Sequence, residues 1–151
     1  MTEEVIAYLK EQLKEATWEE GTAWPTVALQ PLLFKEQMQL LRSDENLQFD
    51  YLFNETCIDW KTHLTMVYHL RSMQYKHQLV IKLVVDRNQP EVPTLSDVWQ
   101  SANFLEREVY EMFGVNFIGH PDLRLLILPD GWEGKNPLQK DFEDPINMIR
   151  L

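Results

Sequence analysis

Three runs of alternating apolar and polar residues, joined by connections too short for a crossover helix, leave this chain little choice of fold. In residues 48–58 the odd positions carry Phe49, Tyr51, Phe53 and Cys57. In 63–72 the even positions carry Leu64, Met66, Tyr68 and Leu70. In 78–86 the odd positions are Leu79, Ile81, Leu83 and Val85. Successive side chains on a strand point to opposite faces, so each run predicts a strand with one covered and one wetter face. The connections span only 59–62 and 73–77. Parallel neighbours need a crossover of about a dozen residues or more, so the three strands form an antiparallel meander.

The segments before the meander supply its cover. Residues 2–16 read as a helix: Thr2 can cap it, Glu3 and Glu4 sit at the positive end of its dipole, and Val5, Ile6, Leu9, Leu13 and Ala16 make one stripe. A connector and a short apolar run, 26–29, follow. Pro31 suits the first turn of a second helix with Leu33, Phe34, Gln37, Met38 and Leu41 on one face. The expected fold class is α+β, a two-layer domain of mainly antiparallel sheet covered by helices. It occupies 1–118, and an extended C-terminal segment, 119–151, follows.

Charge and cysteine content narrow the function. The net charge is −10, which argues against nucleic acid and against docking on anionic lipid. Cys57 is the single cysteine, so neither an internal disulfide nor an iron–sulfur cluster held by this chain alone is possible. No run of about 18 apolar residues exists, so no direct membrane span is expected. The acidic start, MTEEVIAYLKEQLKEA, has no apolar signal core.

After the turn-rich stretch 86–93, Ser96 and Asp97 can cap a helix running through Val98, Trp99, Ala102, Leu105, Val109 and Met112. Ser101 is an alternative start, and Gly114 is the natural stop. This helix holds Glu106, Arg107, Glu108 and Glu111, with His120 beyond it. The carboxylates and His120 are candidate acid/base groups or metal ligands, and Glu108 and Glu111, three apart, share a helical face. No Glu-x-x-His and no second acidic helix completes a dinuclear site. The competing reading is a charge network in which Arg107 pairs with Glu108, Glu111 or a partner's carboxylate. His63, His69 and His77 read as surface residues. The surroundings of Cys57, ETCID, make no nucleophile elbow, and no G-x-G phosphate loop occurs. Trp18, Trp24, Trp60, Trp99 and Trp132 read as core or interface. No catalytic residue, cofactor site or metal site is therefore expected in the chain itself.

The string Glu106-Arg107-Glu108, Glu111-Met112-Phe113-Gly114, His120-Pro121-Asp122, Arg124 and Leu126-Ile127 resembles the signature of one family. That family is the 30-kDa (C-type) subunit of proton-translocating NADH–quinone oxidoreductase, respiratory complex I. The run from Trp132 through Gly134, Pro137, Lys140 and Asp141 to Phe142 resembles the family's tail. The resemblance covers nearly the whole chain. It departs at Gln139, where the family usually has Arg, and at Lys135-Asn136, one residue longer than usual. Those departures put a partner contact in doubt.

The resemblance implies a structural subunit of the peripheral arm at the cytoplasmic face of the bacterial inner membrane, stand-alone in form. It would contact the large quinone-site subunit and the cluster-bearing subunits. FMN, iron–sulfur clusters and quinone would belong to those other subunits. The signature and tail residues would make the partner contacts, with the Glu106–Glu108 charges fixing orientation across an interface and residues 142–151 lying on a partner. Two other readings stand beside this one. One is the equivalent subunit of a membrane-bound hydrogenase or a ferredoxin:quinone reductase. The other is an independent enzyme using Glu106, Glu111 and His120.

Overall fold

The structure, a computed structural model, describes residues 1–149. Leu151, one of the apolar residues expected on a partner, lies outside the described residues. Helix α1 (Glu3–Gln12) buries Leu9 and stops with Leu13 as its C-terminal cap. It ends earlier than the stripe predicts, because Glu15 takes a left-handed φ of 60° and turns the chain into strand β1 (Thr17–Glu19). The run at 26–29 becomes β2 (Thr26–Ala28), antiparallel to β1. Helix α2 (Phe34–Ser43) follows Pro31 and buries Phe34, Gln37, Met38 and Leu41.

The meander forms as expected. Strands β3 (Tyr51–Asp59), β4 (Leu64–Arg71) and β5 (Gln78–Val85) pair antiparallel in chain order. Beyond the expectation, β2 joins β5 in parallel, giving a mixed sheet of order β1-β2-β5-β4-β3. The phases of β4 and β5 hold: Leu64, Met66, Tyr68 and Leu70 face inward beside Leu79, Ile81, Leu83 and Val85.

The expected phase of β3 holds at Cys57 but fails at Tyr51 and Phe53. Its register shifts between Leu52 and Asn54, so the inward residues are Leu52 before the shift and Glu55, Cys57 and Asp59 after it. Tyr51 and Phe53, expected in the core, lie on the outer side, and Tyr51 is 46% exposed. A bulge adds one residue to one strand and reverses the side of everything that follows.

Strand β6 (Glu91–Pro93) pairs in parallel with β7 (Asn116–Ile118), and between them lies α3 (Ala102–Phe113). Ser96 and Asp97 sit in turns ahead of the helix. Ser101 precedes it but donates its hydroxyl to Leu52 O at 2.7 Å and makes no side-chain cap. Gly114 closes α3 at φ 80°, where only glycine is free of strain. The three helices and the inner sheet face share one core, with Phe34 against Tyr68 (5.3 Å between ring centres) and Trp99 donating to Phe49 O at 2.8 Å. Beyond β7 the described residues contain turns but neither helix nor strand.

Candidate functional site: helix α3 and the segment it holds

Helix α3 presents its charged side chains inward as well as outward. Glu106 is fully buried and Glu111 is 1% exposed, whereas Glu108 is exposed. Glu106 accepts the backbone N–H of Leu95 and, at 2.6 Å, the Thr94 hydroxyl, which fixes the loop after β6. Lys35 of α2 reaches the same loop, pairing with Asp97 and the Thr94 carbonyl.

Five residues on, Glu111 accepts three successive backbone N–H groups, from Leu126, Ile127 and Leu128, at 2.9–3.2 Å. Three donors converging on one ionised carboxylate make charge-assisted bonds, the stronger class of hydrogen bond. Arg107 supplies the complementary contact, donating to the carbonyls of Arg124 (3.1 Å) and Leu125 (2.7 Å) and lying over the Phe104 ring. The helix thus holds residues 124–128 by both kinds of backbone group.

These contacts correct three expectations. Glu108 and Glu111 do not act together, since one faces solvent and the other the segment. Arg107 meets carbonyls and makes no ion pair among the described residues. Of the charges Glu106, Arg107 and Glu108, expected to fix orientation across an interface, Glu106 and Arg107 are engaged within the chain and Glu108 is exposed.

His120 is held in place as well. Its Nε2 donates to Asn103 O at 3.0 Å, and its Nδ1 accepts the Asp122 N–H at 3.0 Å. Those partners assign a neutral imidazole with both nitrogens used, 3.9 Å from Glu106. Asp122 pairs with Arg124 on the surface, and Pro121 is exposed beside them. Among the described residues no group of three or more His, Cys, Asp or Glu stands close enough to hold a metal ion.

A second anchor was not anticipated. Asp59, buried at the end of β3, meets Arg87 through two parallel bonds (2.9 and 3.0 Å) and accepts the N–H groups of Lys61 and Lys140. Arg87 also reaches Asp141 at 2.6 Å. Arg87 holds the Asp59 carboxyl well below the usual carboxylate range. Asp59 and Arg87 lie in stretches that read as connections, and the one available signal is that Asp59 shares the odd, inward phase of Cys57.

Between the two anchors, Leu138 donates its N–H to Met112 O and Gln139 donates its side-chain amide to Phe113 O at 2.7 Å. The Asn136 amide sits against Gly114, where a Cβ would come within 2.6 Å of it. Both departures from the family pattern, Gln139 and Lys135-Asn136, therefore lie at the C-terminal end of α3. Trp132 contacts Phe142 at 6.2 Å and carries Lys135 over its ring, and Gly134 and Pro137 shape the turn between. Past Phe142 the chain presents apolar residues to solvent: Ile146 is 88% and Ile149 87% exposed.

Comparison with known proteins places this arrangement. Residues 27–145 match the family described as the respiratory-chain NADH dehydrogenase 30 Kd subunit. The C-type subunit of NADH-quinone oxidoreductase from a Roseiflexus species is 37% identical over 119 residues, covering 77% of this chain and 68% of that protein. The fused C/D-type subunit of Phocaeicola vulgatus is 41% identical over 118 residues, covering 77% of this chain but only 22% of that longer protein. Among solved structures, a trypsin-resistant fragment of Nqo5 superposes with a TM-score of 0.68 at 32% identity, covering 80% of this chain and 98% of the fragment. A polypeptide of an archaeal membrane-bound sulfane sulfur reductase shares the fold, with a TM-score of 0.81 at 24% identity over 93% of this chain and 85% of that one. The chain belongs to the 30-kDa subunit family of respiratory-chain NADH dehydrogenase.

Proposed function

We propose that this chain is a non-catalytic structural subunit in the peripheral arm of an NADH:quinone oxidoreductase. In that role it holds the quinone-site subunit and the iron–sulfur subunits together while they carry electrons. The observation that supports this reading is the clamp on α3. Glu111, Arg107 and the Asp59–Arg87 pair fix a segment without regular structure against a rigid sheet domain, as a display surface requires and a chemical site does not. The segment then offers Ile127, Leu138, Ile146 and Ile149 outward. Where exposed apolar residues join into a contiguous patch they mark protein contacts. Among the described residues no helix is long and apolar enough to cross a membrane, so the chain joins the membrane machine through partners.

The identities of 34–41% are to subunits of NADH-quinone oxidoreductase, which favours that machine over a related hydrogenase or ferredoxin-linked complex. Deleting residues 142–151 is expected to leave the isolated domain with its melting temperature nearly unchanged while it loses capture by neighbouring subunits in mild detergent. Unfolding of the shortened domain, or undiminished capture, would overturn the proposal.

A further inference from the structure

On the sheet face that the helices leave uncovered, Arg71 ends β4 between Tyr51 of β3 and Gln78 of β5. The bulge turns Phe53 outward beside Tyr51, 5.8 Å between ring centres. Trp24, from the β1–β2 connector, meets Phe53 edge-on at 6.2 Å and His69 at 5.7 Å. Trp24, Tyr51, Phe53, Arg71 and Gln78 line one cavity of about 390 Å³.

The cation at its edge is unanswered. Arg71 Nε is shielded from solvent and has no hydrogen-bond partner, and its guanidinium makes no ion pair among the described residues. Lys35, Lys82, Arg87 and Arg107 each find an acceptor within the chain. Among the described residues Arg71 does not, in a chain with 24 acidic residues against 14 basic ones.

A shielded guanidinium N–H without an acceptor is costly, and the planar fork matches a carboxylate. Aromatic walls exclude water and strengthen the pairing. Partly exposed Trp and Tyr around an Arg are also the residue types that dominate binding energy at protein interfaces. The overall charge of −10 works against lipid phosphate or nucleic acid as the occupant. We propose that this pocket docks the carboxylate side chain of an Asp or Glu on a neighbouring polypeptide of a different kind. The inference rests on the chain working within an assembly.

The test uses the native complex with Arg71→Lys in the full chain, treated with a carbodiimide. The reagent joins an amine to a carboxylate within bonding distance, and arginine does not react. Mass spectrometry is expected to find an amide between the position-71 peptide and an Asp or Glu of another subunit. Arg71→Gln, checked for folding by circular dichroism, is expected to bind the remaining subunits about tenfold or more weakly, with less dependence on salt. A link only to this chain's own acids, to a second copy, or to nothing, with undiminished binding by Arg71→Gln, would overturn the pocket's assignment. If the chain is absent from the purified complex altogether, it is the structural-subunit reading that fails.

Discussion

A carboxylate enclosed by apolar side chains keeps its charge only if donors surround it, and Glu55 has none. Both of its oxygens, and the hydroxyl of Tyr68 opposite it on β4, are buried without a hydrogen-bond partner among the described residues. Burial, and secondarily the charge of Glu106, push the Glu55 carboxyl well above its ordinary value. Burial raises Glu106 too, but Leu95 and Thr94 donate to it and pull it back. Glu55 therefore holds its proton more firmly than Glu106, whose carboxyl burial still leaves raised to about 7. A folded state that keeps a proton the unfolded chain has released gains stability below the unfolded carboxyl value. It loses that stability as pH rises toward the folded value. Glu55→Gln removes the titration, so it is expected to raise the melting temperature at pH 8 by about 2–4 °C, the equivalent of ~1 kcal/mol. At pH 4 the two proteins are expected to melt together. Equal melting temperatures at both values would show that Glu55 ionises freely. The odd phase of the run already points Glu55 inward, beside Cys57. What the alternation does not show is that no donor among the described residues meets the carboxylate there.

Helix α3 works as a clamp because its acids lie on more than one side. Glu106 turns toward the loop after β6 and Glu111 toward the returning segment. Glu111→Gln keeps the shape but replaces three charge-assisted bonds by weaker ones and leaves a donor unmatched. The expected loss is about 1.5–3 kcal/mol. Amide hydrogen exchange at Leu126, Ile127 and Leu128 is expected to speed up, while exchange across β4 is expected to change little. Unaltered exchange at those three amides would deny the clamp. The helix, its glycine stop and the concentration of charge were all readable from spacing. The direction of the charges was not, because it depends on three N–H groups in a segment with no period of its own. Strand β2 was missed for a related reason. Three residues are too few for an alternation to register, and their state is set by pairing with β5. The alternation places Tyr51 and Phe53 in the core, and one inserted residue reverses it.

At the scale of the whole molecule, the Asp59–Arg87–Asp141 node joins the ends of β3 and β5 to the tail. Because Arg87 depresses the Asp59 carboxyl, this link contributes stability above the ordinary carboxylate range and loses it as pH falls through the folded value. Arg87→Gln leaves Asp59 buried with only backbone donors, a loss of up to about 3 kcal/mol. Trypsin is expected to cut the variant faster after Lys140, whose N–H is bound to Asp59 in the native chain. An unchanged cutting rate there would mean that the node does not hold the tail. The order of the anchors also decides how the molecule responds to force. Pulled from its C-terminal end, the chain loads the Arg87 node first, then the Gln139 and Leu138 bonds at the foot of α3, and the Glu111 clamp last. Each joint breaks alone, as tape peels from a wall. Load reaches the sheet only through these joints, one at a time, so a tug on the tail is taken up step by step in the last quarter of the chain.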